Sequence, residues 1–147
     1  MLHLDIPTEP RWLDLPEGVR LLTRPVTTAV MQAAQSAAAR RLEAAREAGP
    51  LDPDWERGLA FLYLVQGLAR HAVLEWQGVG DAAGAPLPLS AEAVDALMQH
   101  DAIASAFWAG ATAPARAVVA EGNGCAPAPP GIGAAAPDTA AVATALG

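Results

Sequence analysis

The run LDPDWERGLAFLYLVQGLARHAVL, residues 51–74, decides the fold. Asp52-Pro53 is a helix start, because aspartate caps free N–H groups and proline tolerates the first helical position. From there Trp55, Leu59, Leu62, Val65, Leu68, Ala69 and Ala72 recur at helical spacing, and Phe61 and Leu64 widen the face. A helix apolar over most of its circumference is a central one. The pattern predicts a helix from Pro53 to about Leu74 at the centre of the core, with Trp55 buried in it. Gly58 and Gly67 each cost about 1 kcal/mol relative to alanine inside a helix. They read as points where another backbone comes close.

Upstream, Thr27 or Thr28 caps a preceding helix that ends at Gly49-Pro50, with Val26 placed as a hydrophobic staple. Its stripe is Val30, Ala33, Ala34, Ala37, Ala38, Leu42 and Ala45. Alanine favours helix but buries little area, so this helix gains modest packing energy per residue. Before it, Trp12, Val19 and Leu21 suit strands, and Pro16-Glu17-Gly18 is turn chemistry. A short β-hairpin follows.

Downstream, Val73-Leu74-Glu75-Trp76 either finishes the central helix or begins an extended segment. Gly78, Gly80 and Gly84 with Asp81 and Pro86 demand a turn. Ser90 caps a third helix, about Ala91 to Gln99. Asp101 caps a fourth, about Ala102 to Ala120, with Ile103, Phe107, Ala111, Val118 and Val119 apolar and Pro114 expected to kink or divide it. From Cys125 onward alanine, proline and glycine dominate. The expected fold is therefore mostly α: a small helical domain of about four helices with a short N-terminal β-hairpin and a flexible C-terminal tail. Residues 1–10 read as a loose arm, 11–122 as one domain and 123–147 as a disordered tail.

Composition narrows the function. The 147 residues carry a net charge of -7, and all nine basic residues are arginine. No basic stripe gathers on a predicted face, so nucleic-acid binding would lack its main electrostatic term. The apolar window from Leu59 to Leu74 is interrupted by Gln66, Arg70 and His71 and is too short to span a bilayer. No membrane contact and a cytoplasmic location are the default readings. The single cysteine, Cys125, excludes an internal disulfide.

Chemistry-bearing groups are sparse. His71 sits among apolar residues with Glu75 as its one acidic neighbour at helical spacing, and reads as a partly buried structural histidine rather than a ligand. Gly78-x-Gly80-x-x-x-Gly84 fails the phosphate-loop spacing and reads as a turn. Asp81, Glu92 and Asp101 are explained by a turn and by caps. No cofactor, metal or catalytic residue is expected. Trp12 and Trp76 read equally as core or as interaction anchors.

The order of these pieces resembles the tail assembly chaperones of siphophages and gene transfer agents. Trp12-Leu13-Asp14-Leu15-Pro16-Glu17-Gly18-Val19 and Arg24-Pro25-Val26-Thr27-Thr28-Ala29 resemble the family's opening hairpin and first helix. Trp76-Gln77-Gly78-Val79-Gly80-Asp81 through Pro86 resembles its tryptophan turn, Ser90 to Val94 and Phe107 its later helices, and Glu121-Gly122-Asn123-Gly124 the junction before its low-complexity end. Cys125 and the apolar Ala128-Pro129-Pro130-Gly131 depart from that pattern. The resemblance implies no enzymatic activity. It implies binding to the tape measure protein and to the tail tube protein in the host cytoplasm, with Trp12, Trp76, Val79, Asp81, Phe107 and Trp108 as the protein-binding residues. The competing class is a structural virion component: a head–tail connector, minor tail protein or capsid cement protein.

Overall fold

A computed structural model describes residue 1 and residues 3–122. The elements run β1 (Arg11–Asp14), a 3-10 turn (Pro16–Gly18), β2 (Arg20–Thr23), α1 (Thr28–Ala48), α2 (Pro53–Ala72), β3 (Val73–Gln77), α3 (Ala91–Leu97) and α4 (Asp101–Gly122). The described residues are mostly α, with four helices and the expected N-terminal strand pair. Readings that concern Cys125 and the tail lie outside the described residues.

Three of the four expected caps form, whereas Asp101, expected to cap α4, is itself the first residue of that helix. The Thr27 side chain accepts from the Val30 amide, Asp52 from those of Asp54 and Trp55, and Ser90 from that of Ala93. The hairpin pairs Trp12 with Leu22 and Leu13 with Leu21. Its turn holds Glu17 and Gly18 at positive φ, 62° and 74°.

The sheet has a third strand. β3 follows α2 with no intervening loop and pairs antiparallel with β2, giving the order β1-β2-β3. The Arg24 amide donates to the Ala72 carbonyl at 2.9 Å and fastens the helix-to-strand junction. Beyond β3 the chain makes a second, smaller turn. Asp81 Oδ1 accepts from the amides of Ala83 and Ala85, both at 2.9 Å, and Gly80 pairs with Pro86.

The core lies between the inner sheet face and the helices. Leu13, Leu21 and Trp76 meet Val65, Leu68 and Ala72 of α2 there, with Met98, Ile103 and Phe107 closing it. α1 lies along α2, and α3 and α4 pack against α2 as well. Gly67 permits the first contact: a Cβ there would stand 3.0 Å from the Ala34 carbonyl oxygen. Gly58 has no such role, since nothing lies within 4 Å of its would-be Cβ.

Pro114 neither ends nor divides α4. A proline inside a helix deprives the carbonyl four residues earlier of its donor. Here that carbonyl belongs to Gly110, and the Arg11 guanidinium of β1 donates to it instead. The same glycine gives room to Leu13, whose methyl group would lie 3.3 Å from a Cβ. β1 thus repairs α4 and packs on it in one place.

Candidate protein-docking groove

The apolar face of α2 is covered along half its length. Val65 through Ala69 and Ala72 are buried, and so are Ala34 and Ala38 of α1. The outer half of the α1–α2 pair runs past the sheet and past α3, which has seven residues. Trp55, expected in the core, is therefore 64% exposed, and Phe61 is 39% exposed. Periodicity identifies an apolar face but does not say what will cover it.

These residues line a groove of about 690 Å³ between the outer half of α2 and the start of α4. Trp55, Leu59, Phe61 and Leu62 form one wall, and Met98 and Ala104 lie opposite. Phe61 meets Trp108 edge to face, with ring centroids 6.2 Å apart at 73°. Both rings are held in place without being buried, which suits an apolar contact surface.

A polar node closes the inner end. Gln66 is 1% exposed. Its side-chain oxygen accepts from Arg41 at 2.8 Å, and its amide donates to the Asp95 carbonyl at 2.9 Å. Asp95 also takes both arms of Arg70, and Arg41 lies 3.8 Å from the same carboxylate and stacks over Tyr63 at 4.2 Å. Hydrogen bonding to Asp95 raises the Arg70 pKa above the ordinary guanidinium value. The node joins α1, α2 and α3. No buried side-chain polar atom among the described residues lacks a partner. Gln66→Leu removes both bonds while keeping the volume, and we expect a loss of about 1–3 kcal/mol in urea unfolding. An unchanged midpoint would show that the node does not carry the α1–α3 linkage.

The structure separates the six residues singled out in the sequence. Trp12 is half-buried on the outer face of the sheet beneath the Arg20 guanidinium, 5.1 Å from its ring centre, and Arg20 also bonds Asp14 at 2.6 Å. Trp76 is 9% exposed and donates its indole N–H to the Leu87 carbonyl at 2.8 Å. Phe107 is fully buried. These last two belong to the core because the inner sheet face and α4 close over them; neither side chain offers a free surface. Val79 lines a separate depression with Val19, Leu97 and Ile103. Asp81 is exposed, and one of its carboxylate oxygens is committed to its turn. Trp108 does not line the groove but meets Phe61, which does.

Trp55, Leu59 and Phe61 are groove residues that the sequence reading placed on the covered face of α2. Their signal was the breadth of that face, which is more than the short α3 can cover. His71, expected to be partly buried, is exposed. Among the described residues no cluster of histidine, cysteine, aspartate or glutamate has the makings of a metal site, and no helix is long and apolar enough to cross a membrane.

A sequence profile of the YdaY prophage protein family matches residues 26–123. No curated protein and no solved structure shows significant similarity. The match begins just before α1 and spans all four helices, both walls of the groove and the Gln66 node. Two thirds of the sequence lies within it, and the chain belongs to the YdaY prophage protein family.

Proposed function

We propose that the protein is a phage tail assembly chaperone that holds the tape measure protein, with the tail tube protein as a second partner, until the tail is built. The observation that carries this reading is the open groove with Trp55 and Phe61 exposed on it. A long apolar helical chain waiting for its tube needs its apolar faces covered. A groove between two helices receives such a face by side-chain anchoring. The net charge of -7 keeps the pair soluble and disfavours a phosphate-backbone partner. Membership of a prophage family and the resemblance of the hairpin and tryptophan turn support the same setting.

Co-expression tests it. The protein is expected to raise the soluble yield of the tape measure protein encoded in the same gene cluster. Trp55→Ala combined with Phe61→Ala is expected to weaken that complex by about 2 kcal/mol or more, roughly thirtyfold, because exposed aromatic anchors dominate such contacts. The melting temperature of the free protein should hardly move. Pull-downs that stay empty for both tape measure and tube proteins, at low and at high salt, would end the chaperone reading. Recovery of the protein at fixed stoichiometry in purified particles would point to a structural virion component instead.

A further inference from the structure

The fold gives no reason for Gly58. A glycine inside a helix costs stability relative to alanine. Gly67 has its reason in the Ala34 carbonyl, which a Cβ would meet at 3.0 Å. Gly58 lies within α2, is exposed, and has no described atom within 4 Å of its would-be Cβ. We propose that Gly58 is the crossing point of a partner helix, which sets an alanine or glycine against it and carries a basic side chain over Asp101. This deepens the function proposed above and rests on it: the helix is a segment of the tape measure protein.

Three observations carry the proposal. The first is position. Seven residues make roughly two helical turns, so Gly58, Val65 and Ala72 form one row along α2. Val65 and Ala72 are fully buried in the core, and the same row emerges into the groove at Gly58. Trp55, Leu59 and Leu62 line the groove around it. A helix laid there meets aromatic and aliphatic anchors about a point that has no side chain. The second is precedent. At Gly67 the same helix already receives the backbone of α1, at a residue that is itself small, Ala34. The distance between two packed helices is set by the side chains at their contact, so a glycine facing a groove admits the same close approach from outside. The third is charge. Arg41 and Asp101 are the charged groups that line the groove. Arg41 is engaged by Gln66, Asp95 and Tyr63. Asp101 is exposed, and among the described residues its carboxylate forms no ion pair. The open charge of the groove is therefore negative, in a chain of net charge -7, and it favours a basic helix over an acidic one or over a second copy of this chain.

The test compares the full chain with its G58A and D101N variants in two measurements. One is the melting temperature of the free protein. The other is competition of each unlabelled form with labelled wild type for the tape measure protein of the same gene cluster, supplied as the co-expressed complex. G58A is expected to melt a few degrees higher, because alanine is the better helix former and has room at this position. It is nevertheless expected to compete about tenfold less well, because its methyl group holds the partner backbone away. A loss of binding with a gain in stability has no explanation in a damaged fold. D101N is expected to compete less well at low salt and like wild type at high salt. G58A that competes as well as wild type overturns the crossing, and so does G58A that melts lower, since the fold would then need the glycine. D101N that competes like wild type at low salt overturns the basic contact. A dimer of the free protein that G58A dissolves would give the crossing to a second copy and also overturns the proposal. The two readings fail differently. If wild type captures no tape measure protein, the chaperone reading falls and this proposal with it. If the complex forms and is lost with Trp55→Ala and Phe61→Ala but not with G58A, the groove stands and the crossing alone is wrong.

Discussion

Replacing Trp76 with alanine should unfold the protein at a temperature lower by roughly 10–20 °C, from a loss of about 3–5 kcal/mol. The ring is 9% exposed and packs in the cluster with Leu13, Leu21 and Leu68. Its removal leaves a cavity that the sheet cannot close, since the position is held from both sides by the β2 pairing and by the bond to Leu87. The Leu87 carbonyl also loses its donor. Phenylalanine separates the two parts: Trp76→Phe keeps most of the apolar contact and should lose about 1–2 kcal/mol. The alternative role for Trp76, a partner anchor, makes the opposite forecast. An alanine variant with an unchanged melting temperature and a lost partner would place the ring on the binding surface.

Gly78→Ala should cost about 2–4 kcal/mol, although it adds one methyl group. Gly78 has φ of 76°, and a Cβ there would collide with the carbonyl oxygen of Gly18. That oxygen is backbone in a turn whose own residues already sit at positive φ, so it has no rotamer by which to yield. Gly84 is the internal control. Its φ is 81°, and nothing lies within 4 Å of its would-be Cβ. Gly84→Ala should therefore cost only the conformational part, about 1 kcal/mol. The difference between the two variants in urea unfolding measures the close approach alone. Equal losses would mean that the hairpin turn does not press on the end of β3.

The caps and breakers announced the helices because their chemistry is local. Thr27, Asp52, Ser90 and the Gly49-Pro50 stop act within a turn of their own position, and the structure keeps all of them. β3 was ambiguous for a definite reason. Val73 and Trp76, three apart, both face the core, which is a helical signature. They share a face in a strand because Leu74 is an extra residue: Thr23 pairs with Val73, but Leu22 pairs with Glu75. A bulge had erased the alternation by which a strand is recognised. Pro114, expected to kink or divide α4, does not divide it. The rule that a proline stops a helix assumes that the orphaned carbonyl finds no donor, and here one arrives from Arg11, distant in sequence. The groove was the least legible feature. Trp55 and Leu68 both belong to the broad apolar face of α2, yet they point about 140° apart around the helix, the first in solvent and the second in the core.

The direct passage from Ala72 to Val73 also gives the molecule a mechanical character. With no loop between α2 and β3, and with Arg24 fastened to Ala72, there is no hinge at which the helix can swing free of the sheet. At 1.5 Å per residue, Trp55 stands about 25 Å from that fixed point. α2, with α1 packed along it, is then a lever whose fixed end is at the sheet. A tilt of a few degrees imposed where a ligand grips the tip arrives at β3 as a torque on the strand ladder, and a strain in the sheet is magnified at the tip into a displacement of ångströms.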